Sequence, residues 1–193
     1  MTVTLASPRV FGSGIRRRED PRLISGAARY TDDITLPGML HAAILRSPHA
    51  HARIAGIETA RAKSAPGVVA VFTSEDIDSS GAAGLPCGWL VTDVHGQPMK
   101  EPKHPILAAG KVRHVGDPVA AVVAETPAQA QDAAEHMRVA YEPLPCVTDL
   151  VEAARPGARA VWPDLAPDNE CFHFRLGDFA AVEAAFARAA HVV

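Results

Sequence analysis

Three features of this 193-residue sequence predict a mixed α and β fold: short β-branched or apolar runs, helix-forming windows between them, and Pro-Gly punctuation at the joints. Strand-like and helix-like segments alternate along the chain, and wherever two paired strands run parallel the crossover between them is expected to be right-handed. Composition alone leaves α/β and α+β both open.

Residues 1 to about 25 are polar, basic and turn-rich, which predicts an extended arm. Met39 to Arg46 is an apolar run between Pro37-Gly38 and Ser47-Pro48, the punctuation of a buried strand, and Ala50 to Glu58 alternates as a second strand. Thr59 to Ala65 is rich in helix formers and is stopped by Pro66-Gly67, after which Val68 to Phe72 reads as a strand. Between Ser79 and Pro105 the residues turn to Gly, Pro, Asp and Ser, with Trp89 and Leu90 as isolated large apolar side chains, so this stretch is a surface loop or an interface.

Pro118 to Ala124 is a continuous small apolar run, suited to a strand covered on both faces. Thr126 and Gln129 then form a capping box with Pro127 at the first helical position, and Ala130, Ala133, Ala134 and Met137 recur on one helical face. Val139 to Glu142 reads as the returning strand. A Pro- and Asp-rich connection from Arg155 to Asn169 leads to a strand at Glu170 to Leu176. Asp178 is an N-cap for a helix whose buried stripe is Phe179, Val182 and Phe186. His191-Val192-Val193 has the character of a strand just beginning, which suggests a polypeptide cut before that element pairs.

With 19 basic and 22 acidic side chains and a formal charge of -3, the chain has no field that would steer it to nucleic acid or an anionic membrane. No apolar run is long enough to span a bilayer, and Arg16, Arg17 and Arg18 precede Glu19 and Asp20, not the hydrophobic stretch of an export signal. Cys87, Cys146 and Cys171 are odd in number and far apart, the pattern of cytosolic free thiols, and a cytoplasmic location is the expectation.

The candidate chemical residues each carry a plainer reading. His49 and His51 are two imidazoles close in sequence, but no carboxylate or thiol stands at companion spacing, so structural hydrogen bonding is favoured over a metal. Asp32 and Asp33 point in opposite directions on an extended chain and are better read as turn residues accepting backbone N–H bonds than as a catalytic dyad. Glu19 and Asp20 beside Arg16, Arg17, Arg18 and Arg22 make a mixed-charge patch for solvation or ion pairing. Gly12-Ser13-Gly14 lacks the third glycine and the preceding strand of a dinucleotide loop. Gly110, Gly116 and Asp117 surround a basic strand, Lys111 to His114, and read as a hairpin-like turn with glycine at positive φ. Cys87 sits in the irregular loop, where exposure favours reactivity, yet nothing nearby lowers its pKa, and His95 is a weak partner. Nucleophile-elbow, HExxH and Walker patterns are missing, so the residues assign no catalytic, cofactor-binding or metal-binding position.

One stretch is too irregular to arise by chance: Gly26 to Arg53, GAARYTDDITLPGMLHAAILRSPHAHAR. With Arg16-Arg17-Arg18-Glu19-Asp20-Pro21-Arg22, Pro66-Gly67-Val68-Val69-Ala70-Val71 and Val112-Arg113-His114-Val115-Gly116-Asp117-Pro118-Val119-Ala120, it resembles the start of the molybdenum-binding large subunit of the xanthine dehydrogenase, aldehyde oxidase and carbon monoxide dehydrogenase family. RRREDPRLISG and Ala108 to Val123 are most similar to the carbon monoxide dehydrogenase-like large chains.

The resemblance implies an α+β fold, an α/β hammerhead domain over residues 20–154, after an arm at 1–19 and before a linker and truncated start of the molybdopterin-binding domain at 155–193. It implies a scaffold, fragment or split subunit, that is not catalytic alone. No cofactor is expected within the chain; molybdopterin, 2Fe-2S clusters and FAD are expected in the complete enzyme. The implied partners are the remaining large-subunit domains and iron-sulfur and flavin subunits, with a homo-oligomer left open. The other reading is a stand-alone interaction or small-molecule-binding module reusing the fold.

Overall fold

The computed structural model describes residues 12–193. The chain divides into two compact units, Met1–Met39 and Leu40–Val193.

In the first unit residues 1–11 of the expected arm lie outside the described residues. The rest is not uniformly extended: Asp20–Ile24 form a one-turn helix, α1, with Pro21 in its first turn. Pro fixes φ at a helical value where its missing N–H costs nothing, and Ser25 Oγ closes the end by donating to Pro21 O at 2.7 Å. A 3-10 turn follows at Thr31–Asp33.

The second unit runs β1 (His41–Arg46), β2 (Ala52–Glu58), α2 (Ala60–Lys63), β3 (Val68–Phe72), α3 (Ser74–Ser80), β4 (Lys111–Val112), β5 (Pro118–Ala124), α4 (Pro127–Glu135), β6 (Arg138–Pro143), α5 (Leu150–Ala153) and α6 (Phe179–Phe186). Two three-stranded sheets form, in the orders β1-β5-β3 and β4-β2-β6, and every pair is antiparallel. That resolves the choice of class as α+β, and the crossover rule for parallel strands has nothing here to act on.

The apolar run of β5 is explained by the two cores it serves. Ala120 and Val122 pack in a cluster with Val71 of β3 and Ala133 and Ala134 of α4, while Val119 joins Ala52, Ala108 and Val112 in a second cluster. Small side chains in both sheets let strand and helix approach closely. Thr126 caps α4 by accepting from Gln129 N–H at 3.2 Å, as its spacing predicts, although Gln129 Oε1 takes the Thr126 hydroxyl at 2.9 Å in place of the backbone N–H.

Several expectations are corrected. β6 does not return to the sheet of β5; it pairs with β2, from Ala52↔Pro143 to Glu58↔Arg138. Local periodicity reports a strand but not its partner. β1 is not a buried strand: it alternates between half-buried and exposed residues, with one face toward the core, and it lies at the edge of its sheet. Residues 170–176 and 191–193 are irregular, not strands. Helix α6 forms with Asp178 accepting from Ala181 N–H at 3.0 Å, but its predicted buried stripe is open, with Phe179, Val182 and Phe186 at 49%, 47% and 54% exposure. Helical spacing was correctly read; burial needs an opposing surface, which the described residues of this unit do not supply. Helices α3 and α5 arise from caps that the sequence reading passed over, Thr73 with Asp76 and Asp149 with Glu152.

Candidate functional site

Polar groups concentrate at one corner of the second unit, where the β1–β2 turn, the turn before β5, the exit of β6 and the segment around Trp162 come together. Ser47 is buried and zips the first two turns together: its N–H donates to Asp117 O at 2.9 Å, and its carbonyl accepts from Gly116 N–H at 2.8 Å. Gly116 holds φ at 87°, a region that penalises any residue with a Cβ, so the turn expected there is formed by glycine as predicted. Asp117 is 3% exposed, and its Oδ2 accepts from Arg113 N–H at 2.9 Å with His114 Nδ1 3.7 Å away.

His49 and His51 lie in the bend between β1 and β2, not on a strand. The His49 N–H donates to Ser47 Oγ at 3.0 Å, and its ring meets Tyr141 edge-on at 4.9 Å. His51 Nδ1 is 2.9 Å from Pro145 O; a carbonyl only accepts, so this nitrogen carries the proton. The backbone repeats the tie, with Leu144 N–H donating to His51 O at 2.9 Å. His51 therefore ties the turn to the segment after β6 through a ring hydrogen bond, as expected of a structural histidine, whereas the His49 ring makes an aromatic contact with Tyr141 of β6. Burial raises the Tyr141 pKa, opposed by its bond to Ser47.

The guanidinium of Arg113 stands over Trp162, Cζ to ring centroid 3.6 Å. Desolvation pulls the Arg113 pKa below the ordinary arginine value, against the pull of Asp117 and Asp164. The segment leading to Trp162 is braced by Asn169, the sole non-glycine described residue at positive φ, 60°. Asn169 Oδ1 accepts from Val161 N–H at 2.8 Å, while Nδ2 donates to Arg159 O at 2.9 Å and Ala153 O at 3.0 Å. Sequence reasoning missed Trp162 and Asn169. The available signal was a single large aromatic in a Pro- and Asp-rich connection, with an Asn that tolerates left-handed backbone.

The remaining candidates sit elsewhere. In the first unit Asp33 Oδ2 accepts from Tyr30 N–H at 2.8 Å, the turn role expected of it, and Arg17 Nε pairs with Asp20 at 3.0 Å in an exposed ion pair. In the second unit Cys87 is exposed and its Sγ donates to Trp89 O at 3.2 Å. His95 belongs to a separate turn that is closed by Asp93, whose Oδ1 accepts from His95 and Gln97 N–H, each at 2.8 Å. The Gln97 N–H leads the set of bonds that hold the Asp93 carboxyl below its usual range. The structure gives Cys87 and His95 different partners and does not present them as a nucleophile and base. Among the described residues no group of three or more His, Cys, Asp and Glu side chains is arranged to hold a metal.

Two antiparallel sheets meet a polar corner built on a buried aspartate, a stacked arginine and two histidines of the β1–β2 turn. The match to known proteins gives this fold its lineage. The chain belongs to the family described as aldehyde oxidase and xanthine dehydrogenase, a/b hammerhead domain, whose pattern matches residues 25–145. It is 39% identical over 184 residues to the 6-hydroxypseudooxynicotine dehydrogenase complex subunit gamma of Paenarthrobacter nicotinovorans, covering 95% of this chain and 22% of that protein. To the carbon monoxide dehydrogenase large chain of Afipia carboxidovorans it is 37% identical over 191 residues, covering 92% and 22%. Among solved structures, reconstituted CO dehydrogenase from Oligotropha carboxidovorans superposes with a TM-score of 0.67 at 36% identity, covering 93% of this chain and 22% of that one. Quinoline 2-oxidoreductase from Pseudomonas putida 86 gives 0.58 at 44% identity, covering 74% and 17%. The chain thus spans about a fifth of the length of the curated relatives it matches. No helix among the described residues is long and apolar enough to cross a membrane.

Proposed function

We propose that this chain is the N-terminal scaffold of a molybdenum hydroxylase-type oxidoreductase large subunit and is not catalytic by itself. One observation carries the reading: similarity runs along 95% of this chain yet accounts for 22% of the relative. A domain of that size, with no ligand set of its own among the described residues, serves chemistry placed elsewhere. The complete enzyme would use molybdopterin, with 2Fe-2S clusters and FAD on partner subunits in the cytoplasm. Residues 155–193 would lead into the molybdopterin-binding domain and 1–19 would wrap a neighbour as an arm. A stand-alone binding module is not favoured, since the match is to subunits of larger oxidoreductases.

The exposed apolar side chains support the assignment. Trp89 and Leu90 are 77% and 64% exposed, and the α6 stripe is open as well. Such surface on a small domain marks a face that other protein covers. Hydrogen exchange of the chain mixed with the remaining large-subunit domains tests the reading: protection at α6 and around Trp89 is expected, and unchanged exchange at both would overturn it.

A further inference from the structure

Between the β1–β2 turn, the β4–β5 turn and the Arg159–Val161 segment lies a cavity of about 270 Å³, close to the lower end of small-molecule pockets at roughly 300 Å³. Arg113 and Arg159 line it with guanidinium groups, and no Asp or Glu does; His51, His114 and Cys146 complete the polar lining. The Nδ1 proton of His51 is committed to Pro145 O.

The Arg113 guanidinium is the informative group. Of its five N–H donors one finds a protein acceptor, Lys111 O, at the long distance of 3.5 Å; its Nε has no partner but is shut from solvent and so does not open on the cavity, which leaves the terminal amino groups as the donors a ligand would meet. A half-buried guanidinium normally satisfies its fork on a carboxylate or a similar acceptor. Asp117 and Asp164 attract it through space; the Asp117 oxygen Oδ2 is occupied by the Arg113 backbone N–H, and Oδ1 is buried with no hydrogen-bond partner. Arg159 makes no ion pair among the described residues, so a second cation faces the same volume. Val115 and Val161 add apolar side chains to the same lining. Two guanidinium groups beside a hydrocarbon surface fit an anion with a short apolar stem better than a bare inorganic ion.

We propose that this cavity binds a small organic carboxylate, its carboxyl group held by Arg113 and Arg159 and its stem laid on Val115 and Val161. The proposal does not rest on the scaffold reading.

Trp162, in contact with Arg113, provides the reporter. The chain has two tryptophans, so Trp89→Phe leaves Trp162 as the only one. That variant is titrated with sodium butanoate, neutral butanamide and sodium chloride at matched ionic strength. A saturable fluorescence change is expected with butanoate, with half-saturation at least about tenfold higher for butanamide. Arg159→Gln, at an exposed position, should raise the butanoate midpoint by about tenfold while its far-ultraviolet circular dichroism is unchanged. A butanoate response no different from sodium chloride, equal to butanamide, or unaltered by Arg159→Gln in the folded chain would overturn the proposal.

Discussion

Arg113 and Trp162 lie 49 residues apart in sequence and meet with the guanidinium carbon 3.6 Å from the centroid of the indole ring. This contact ties the β4–β5 turn to the irregular segment beyond α5. Since Arg113 is half-buried, the attraction falls in the upper part of the cation–π range, about 1–2 kcal/mol. Trp162→Ala should lower stability by that amount or slightly more in urea unfolding. Arg113→Lys should recover little of it, because an ammonium lacks the flat face that stacks on a ring.

Asn169 sets up that contact from a distance. Its side chain makes three hydrogen bonds while its backbone occupies the left-handed region. Asn169→Ala loses the bonds and adds backbone strain, and a cost of about 2–3 kcal/mol is expected. Asn169→Gly should be milder, since glycine tolerates φ of 60° and only the bonds are lost. In both variants Trp162 fluorescence should shift toward that of solvated indole; an unshifted spectrum would separate Asn169 from the placement of Trp162.

Two glycines offer an internal comparison. Gly67 has φ of 74°, and a Cβ there would run into the end of the Gln129 side chain, which also accepts the Thr126 hydroxyl at the start of α4. Gly56 has ordinary backbone and open space around its Cβ position. Gly67→Ala should therefore cost about 1–2 kcal/mol, whereas Gly56→Ala should be neutral or stabilising by a few tenths. Thermal melts of the pair check the ordering.

The cap of α3 predicts a pH effect. Asp76 Oδ2 accepts from the Thr73 N–H at 2.7 Å and from its hydroxyl at 2.9 Å, and these bonds, the backbone one first, hold its carboxyl below the ordinary value. A folded-state pKa below the unfolded one stabilises the fold above the ordinary carboxylate value, and the benefit is lost as the pH falls through the lowered one. Asp76→Asn should cost about 0.5–1 kcal/mol near pH 7 and less at about pH 2, as protonation makes the Asp76 group neutral too. A difference in melting temperature that is the same at the two pH values would show that the carboxylate charge is irrelevant.

Much of the fold was legible because its signals are local. Val68 to Phe72 and Pro118 to Ala124 are strands with the bounds their sequences announce, and Thr126 caps α4 where its spacing to Gln129 requires. What stayed hidden is non-local. Nothing in the spacing of β6 says that it joins β2 and not β5, since alternation fixes a face and not a neighbour. The stripe on α6 could not reveal that no described residue of this unit covers it. At the polar corner the ring hydrogen bond expected of a structural histidine is present at His51, but Arg113, Trp162 and Asn169 become a group only when segments distant in sequence converge.

The central claim is that this chain supports chemistry carried by other domains. Metal analysis of the purified 193-residue chain, paired with dye-linked oxidation assays on aldehydes, purines and carbon monoxide, addresses it most directly. No bound molybdenum or iron and no turnover are expected. Molybdenum present in stoichiometric amount, with activity to match, would contradict the account.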